Sequence, residues 1–337
     1  MPLSGLRRDL GFARSVATGR PFNVLLQVTN RCNMTCSFCD FWPNGARPED
    51  ELTVEDFARL SDGLAERGRV LFSIEGGEPT GRPDLPDIVR VLARHHLTAL
   101  FTNGWRMTPD LARSLWDAGL THASVSIDYA TAARHDEARG VQGASERAWR
   151  ALELLRDSSP AGDRRVHVMT VVMHDNVEEL PALLERTAAL GVGHQLTLLS
   201  VDGDRRGGEG TKRPPPEGTG ALLLDLWRRH GHLRFLREYF ERMDDFLGGR
   251  AMPRCNAGSA GFNVDHLGEL SPCIERIGEP VGNLRRDPLP VLLERLAARR
   301  DELASCQRCW TACRGFQQAL SSPTLRTWQD LALRTRA

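Results

Sequence analysis

The sequence is poor in lysine: of its 44 basic residues only Lys212 is one, which leaves 43 arginines. Arginine suits carboxylate and phosphate recognition. So uneven a ratio along a whole chain nevertheless follows the base composition of the coding DNA, and no function is drawn from it. Neither charge sign is in excess. The 44 basic and 44 acidic residues cancel formally, which removes the broad basic surface of a nucleic-acid binder. No run approaches the roughly 18 apolar residues of a membrane-spanning helix. The N-terminal stretch MPLSGLRRDLGFARSVATGRPF lacks the continuous apolar core of a secretion signal. A cytoplasmic protein with no nucleic-acid or membrane partner is therefore expected. Oligomeric state is not legible.

What is present is ordinary globular composition, 41% hydrophobic over 337 residues, long enough for about two units. Short runs rich in Val, Ile, Leu and Thr recur at Val24–Val28, Val70–Ile74, Thr98–Thr102, Ala123–Ile127, Val166–Met173 and Gln195–Leu199. These read as buried strands. Helical patterns lie between them at Thr53–Arg67, Asp84–His95, Pro109–Ala118, Ala144–Asp157 and Val177–Leu190. Thr53 and Asp56 resemble a capping box. Gly119 and Gly191 stand where helices should stop. Six strand–helix repeats predict an α/β fold, a partial (β/α)6 barrel, with chemistry at the C-terminal strand ends. A Gly-, Pro- and charge-rich linker follows at Asp202–Gly220, then one or two helices over Ala221–Phe246. The expected division is an N-terminal segment (1–21), the barrel (22–200), a loop and helical linker (201–250), a small Cys-rich α+β extension (251–316) and a tail (317–337).

Eight cysteines carry the chemistry, three near the N-terminus and five near the C-terminus. Without a secretion signal they are poor disulfide candidates, and tight spacing points to metal. Cys32, Cys36 and Cys39 form CxxxCxxC directly after the first strand. Three thiolates on one loop suit three corners of an iron–sulfur cube, leaving one iron open; a zinc loop borrowing a distant ligand is the alternative. After the second strand comes Glu75-Gly76-Gly77-Glu78-Pro79, after the third Thr102-Asn103-Gly104, and after the fourth Ser126-Ile127-Asp128. Paired glycines let a backbone approach a ligand closely. Glu78 offers an acceptor for an ammonium group. Asp128 is a further candidate for substrate contact. His122, His167 and His174 lie near strand ends.

In order and spacing these motifs resemble the radical S-adenosylmethionine (SAM) superfamily over roughly residues 22–200. The resemblance implies a 4Fe–4S cluster on Cys32, Cys36 and Cys39, with SAM on its open iron. It implies that Glu78 and the Gly76–Gly77 backbone hold the amino group of SAM, and that Phe38 lies near the adenine. Ser126 would face the ribose or carboxylate, Arg139 would pair with the carboxylate, and Thr102 and Asn103 would be weaker contacts. Reductive cleavage of SAM would yield methionine and a 5′-deoxyadenosyl radical that takes hydrogen from an unactivated carbon.

The second constellation is Cys255, Cys273, Cys306, Cys309 and Cys313. The first two flank an expected hairpin, with strands Phe262–Val264 and Glu269–Leu270 and a turn at 266–268. Cys306 and Cys309 supply two further ligands, for a cluster or a zinc. The block resembles the Twitch form of the SPASM extension, which implies a second, auxiliary 4Fe–4S cluster. Cys313 is then a spare: it replaces Cys306 or Cys309 or is a buried thiol, with Cys309 preferred as ligand. Trp310, Arg314 and Gly315 would shield the site or simply pack. The expected activity is oxidative: hydrogen abstraction from a small biosynthetic intermediate, with the auxiliary cluster taking an electron and a flavodoxin- or ferredoxin-type donor supplying one. The alternative is a maturase acting on a precursor peptide. A non-catalytic, zinc-stabilised binding module is the reading from another class, and the GGEP and TNG positions argue against it.

Overall fold

Six strands follow one another along the chain and pair only in parallel. They are β1 (Asn23–Thr29), β2 (Leu71–Gly76), β3 (Leu97–Thr102), β4 (His122–Ser126), β5 (Val166–Val172) and β6 (Gly193–Leu198). Each expected strand is found to within two residues at either end. The structure is a computed structural model of the chain and describes residues 3–160, 165–200, 202–203 and 212–335. Residues 204–211 of the expected linker lie outside the described ones.

Three more strands extend the sheet past β1. β7 (Gly261–Val264) lies parallel to β1, and β8 (Glu269–Ser271) and β9 (Gly282–Asn283) add antiparallel. The order β6-β5-β4-β3-β2-β1-β7-β8-β9 leaves two open ends, so the sheet is a partial barrel. The β7–β8 hairpin matches the sequence reading. Its docking along β1 was not foreseen: it makes the cysteine-rich unit a continuation of the barrel wall.

The strands carry two apolar faces of unequal strictness. Outward residues such as Val24, Leu26, Phe72, Ile74, Val125 and Val168 are fully buried against the helix layer. That layer is built from α2 (Val54–Ala65), α3 (Leu85–Ala93), α4 (Pro109–Asp117), α5 (Ala132–Arg139), α6 (Ala144–Ser158) and α7 (Leu180–Leu190). Thr53 and Asp56 close the capping box that starts α2. Trp116 and Trp149 pack in this core. Inward residues mix apolar and polar types: Asn23 and Leu25 on β1, Ser73 and Glu75 on β2, His122, Ser124 and Ser126 on β4. That mixture leaves room and hydrogen-bonding capacity inside the barrel. Past the linker come α8 (Thr219–Arg229), α9 (Arg237–Glu241) and α10 (Met243–Leu247), where one or two helices were expected. The chain then closes with α11 (Leu289–Ala298), α12 (Arg300–Ala304), α13 (Ala312–Ser321) and α14 (Leu325–Thr335). Among the described residues no helix is long and apolar enough to cross a membrane.

Candidate active site

A cavity of about 560 Å³ occupies the barrel. Every residue expected to hold the N-terminal cluster or SAM lines it: Cys32, Cys36, Cys39, Phe38, Gly76, Gly77, Glu78, Thr102, Asn103, Ser126 and Arg139; Asp128, His167 and His174 do not. The three cysteines sit on the loop leaving β1, at the C-terminal end of the sheet. Burial pushes the Cys32 thiol up to about 12 and raises Cys36 as well, although Arg139 opposes the shift at Cys36. Thiolates so disfavoured on their own suit a group that brings compensating positive charge. Among the described residues no three His, Cys, Asp or Glu side chains close on a single metal ion. Three thiols on one loop that lines the cavity fit three corners of a cubane cluster, whose ligands are spread over separate irons.

The loop is held from below by the GGEP turn. Gly77 N–H donates to Thr29 O (2.7 Å) and Glu78 N–H to Arg31 O (2.9 Å). A Cβ on Gly77 would stand 2.3 Å from Arg31 O, and one on Gly76 2.1 Å from Thr29 O. The close approach these glycines permit is thus made to the backbone that leads into Cys32. Gly77→Ala should displace that backbone, lowering iron retained by the N-terminal loop and leaving iron at the C-terminal cysteines unchanged. Iron analysis of the variant, set against a variant lacking the C-terminal cysteines, checks this.

Glu78 is bound by the protein through both oxygens. Its Oε1 accepts from Thr80 N–H (3.0 Å), Thr80 Oγ1 (2.5 Å) and Thr102 Oγ1 (2.6 Å), and its Oε2 accepts from Asn103 N–H (2.7 Å). The carboxylate ties the β2 end to the β3 end. Asn103 Nδ2 then donates to Asn33 Oδ1 (3.0 Å) and points at Cys32 Sγ (4.0 Å). Thr102 and Asn103 are therefore joined to the cysteine loop through Glu78.

Arg139 is buried and lies above the loop. It donates to Asp128 Oδ2 (2.5 Å), approaches Cys36 Sγ (3.9 Å) and stands 5.3 Å from the centre of the Phe38 ring. Its pKa is raised: Asp128 and Cys36 outweigh the effect of burial. Asp128, fully buried, also accepts from Val171 N–H (2.9 Å). It is thus occupied by the protein rather than presented to a substrate. The helix carrying Arg139, α5, was not read from the sequence. Its C-terminal carbonyls clamp the loop, Arg139 O accepting from Thr35 N–H (3.2 Å) and Ala138 O from Ser37 N–H (3.0 Å). Gly140, at φ 67°, ends α5 against Thr35, whose Oγ1 would lie 2.1 Å from an added Cβ. Glu51 was also missed. Buried, it accepts from Thr29 Oγ1 (2.5 Å) and from Arg31 Nε and Nη2 (2.9 and 2.8 Å), fixing the residue next to Cys32. Its partners lie 20 and 22 residues away in sequence, so no local pattern marks it.

The histidines divide. His174 is exposed and near Arg213. His122 and His167, at the N-terminal ends of β4 and β5, stack at 5.9 Å, and burial lowers the pKa of both. They sit at the opposite end of the barrel from the cysteine loop.

The C-terminal cysteines gather on four stretches: Cys255 before β7, Cys273 after β8, Cys306 and Cys309 between α12 and α13, and Cys313 in the first turn of α13. Burial pushes Cys309 up to about 12 and raises Cys255 and Cys273; the thiols feel one another's charge across the group. Arg314 knits the segments together, donating to Cys309 O (2.7 Å), Cys306 O (3.0 Å) and Pro253 O (2.9 Å). Trp310 is packed on Tyr239 and donates to its carbonyl (2.8 Å). Cys313 stands apart in one respect: its wall of the group lines the barrel cavity, beside Thr311, Ala312 and Ile274. Cys313 and Cys39 pack on one apolar patch of Leu25, Phe41 and Ile274.

The radical SAM superfamily profile matches residues 26–187. Over 297 residues the chain is 33% identical to the AdoMet-dependent heme synthase of Methanosarcina barkeri (strain Fusaro / DSM 804), covering 82% of this chain and 83% of the synthase. The mycofactocin maturase MftC of Mycolicibacterium smegmatis is 34% identical over 185 residues, 54% of this chain and 46% of the maturase. The solved structure of native anSMEcpe with bound AdoMet superposes with a TM-score of 0.65 at 16% identity, over 94% of this chain and 96% of that one. At that identity the likeness is one of fold.

Proposed function

The chain belongs to the radical SAM superfamily, and from that premise we propose that it is an oxidoreductase acting on a carbon of a compact, mainly apolar substrate held inside the barrel. The observation that carries the reading is the cavity itself. Its walls below the cysteine loop include Leu25, Leu71, Leu97, Ala99, Phe101, Met169 and Val171, interspersed with uncharged polar residues such as Ser73, Ser124, Gln195 and Thr197, and the charged residues lining it are Glu75, Glu78 and Arg139. Such a chamber favours burial of an apolar body over recognition of phosphates or several carboxylates.

When bound, the family's 4Fe–4S cluster and SAM supply a 5′-deoxyadenosyl radical for hydrogen abstraction. Cys32, Cys36 and Cys39 would hold the cluster. Gly76, Gly77, Thr102, Asn103 and Ser126 would shape the SAM pocket beside it, with Phe38 as an apolar wall. Glu78 positions these groups by binding their backbone and hydroxyls. Arg139, neutralised by Asp128, keeps one guanidinium edge toward Cys36 and braces the loop. Cys255, Cys273, Cys306 and Cys309 would carry the auxiliary cluster. The apolar patch shared by Cys39 and Cys313 supports this role, because the cysteine loop and the segment that follows Cys309 both pack on it.

One observation favours a second reading. The likeness to a heme synthase runs along four-fifths of both chains, whereas that to a peptide maturase covers 54% of this chain and 46% of the maturase. A tetrapyrrole is therefore the better-supported alternative substrate, ahead of a precursor peptide. The test is anaerobic incubation of the reconstituted protein with SAM, a reductant and either iron coproporphyrin III or a panel of cyclic alcohols, with 5′-deoxyadenosine and product masses followed. Substrate-stimulated 5′-deoxyadenosine with a cyclic alcohol turned to ketone supports the main reading. Stimulation by the porphyrin alone transfers the assignment to a tetrapyrrole. No 5′-deoxyadenosine under any condition contradicts both.

A further inference from the structure

One wall of the cavity carries a hydrogen-bond donor with no part in holding the cysteine loop. Side chains alternate along β6: His194, Leu196 and Leu198 are buried on its outer side, while Gln195 and Thr197 line the cavity. Gln195 is half-buried. Ser124, a lining residue of β4, donates through Oγ to Gln195 Oε1 (3.2 Å), across the inner face of β5. That bond fixes which way the amide turns. It leaves the two N–H donors of Nε2 with no acceptor among the described residues. Nε2 is also not one of the unpaired atoms sealed inside the protein, as Arg139 Nε and Trp149 Nε1 are. It is therefore open to what enters the cavity. Gln195 pairs with Met169 and Met169 with Ser126, so the amide stands on the level of Ser126, two strand spacings or about 10 Å round the wall. One step above it, Thr197 Oγ1 accepts from Ala312 N–H (3.0 Å), so the start of α13 docks over the same wall.

We propose that Gln195, oriented by Ser124, is a specificity-determining residue that donates a hydrogen bond to an uncharged oxygen, a hydroxyl or carbonyl, of the substrate. The inference rests on the main reading above and adds the group by which the chamber tells an oxygenated carbon skeleton from a bare one. A body that fills the chamber displaces water from Nε2. An oxygen at that height restores the lost bond, whereas a hydrocarbon of the same shape leaves the donor unpaired. A hydroxyl and the carbonyl it would become both accept from an N–H, so one contact serves both sides of an alcohol oxidation. Arg139, the arginine of the lining, is already paired with Asp128, so an uncharged oxygen suits the chamber better than a carboxylate. The oxygen-bearing carbon is thereby held on the β6 wall at the level of Ser126.

Cyclohexanone and methylenecyclohexane are the probes: they share a ring and a shape, and only the ketone carries an oxygen acceptor. Their binding to the reconstituted full-length protein with SAM present is measured by saturation-transfer NMR for wild type, Gln195→Leu and Ser124→Ala. The inference predicts that Gln195→Leu raises the Kd of the ketone about five- to tenfold and leaves that of the alkene equal or lower. Ser124→Ala, which frees the amide to turn, should raise the Kd of the ketone about two- to threefold and spare the alkene. A Gln195→Leu protein that melts early is replaced by Gln195→Met. Ketone affinity unchanged in either variant, equal weakening of both probes, or no saturable ketone binding to folded wild type overturns the proposal. Formation of 5′-deoxyadenosine by the wild type is followed separately. If it is absent while the ketone responds to Gln195 as described, the functional reading fails and the Gln195 contact stands. If a cyclic alcohol is oxidised while Gln195→Leu binds the ketone as wild type does, the contact fails and the reading stands.

Discussion

Asp128→Asn should destabilise the protein by about 3–5 kcal/mol, because it leaves the buried Arg139 guanidinium without its counter-charge. Asp128 is fully buried and Arg139 nearly so, at a separation of 2.5 Å. In water the loss of one ion pair would be nearly silent. Here the arginine cannot be rehydrated without opening the contact between α5 and the cysteine loop. Removing both charges together, as Asp128→Leu/Arg139→Met, should therefore cost less than Asp128→Asn alone. Urea denaturation of the wild type and the two variants measures both differences. A single variant as stable as wild type, or a double variant less stable than the single, would show that the pair does not brace the loop.

Replacing Cys32, Cys36 and Cys39 together with alanine should abolish formation of 5′-deoxyadenosine and remove about half of the bound iron. Removing Cys255 and Cys273 should instead spare SAM cleavage and stop the oxidised product from accumulating. The contrast follows from the proposed division of roles, since only the N-terminal loop opens beside the SAM pocket residues. Anaerobic assays with mass-spectrometric detection, run on both variants, separate these effects. Residual 5′-deoxyadenosine in the triple variant, or its loss in the C-terminal one, would reverse the assignment of the two sites.

Much of this arrangement is legible in the sequence, and the reason is local. The six parallel strands announce themselves as apolar runs because their outward faces must be fully buried. The cysteine loop, GGEP, TNG and Ser126 each follow a strand, and parallel pairing in register brings the four strand ends to one mouth. What escaped was the long-range part. Glu51 pins Arg31, and Asp128 pairs with Arg139 across a turn and a polar helix, AARHDEAR, whose weak amphipathicity hides it. Glu78 was read as an acceptor aimed at a ligand. Its four donors come from Thr80, Thr102 and Asn103, so its partners follow from how β2 and β3 meet. The β7 strand was read correctly as half of a hairpin, but its four residues could not announce that they would pair with β1.

The central claim is that two cysteine groups hold two redox clusters on one continuous wall. Iron, zinc and acid-labile sulfide per chain, measured after anaerobic reconstitution of the wild type, test it most directly. The account predicts about eight irons, a matching amount of sulfide and no stoichiometric zinc. About four irons with one zinc would contradict the electron-accepting role of the C-terminal site, and zinc without iron would contradict the account as a whole.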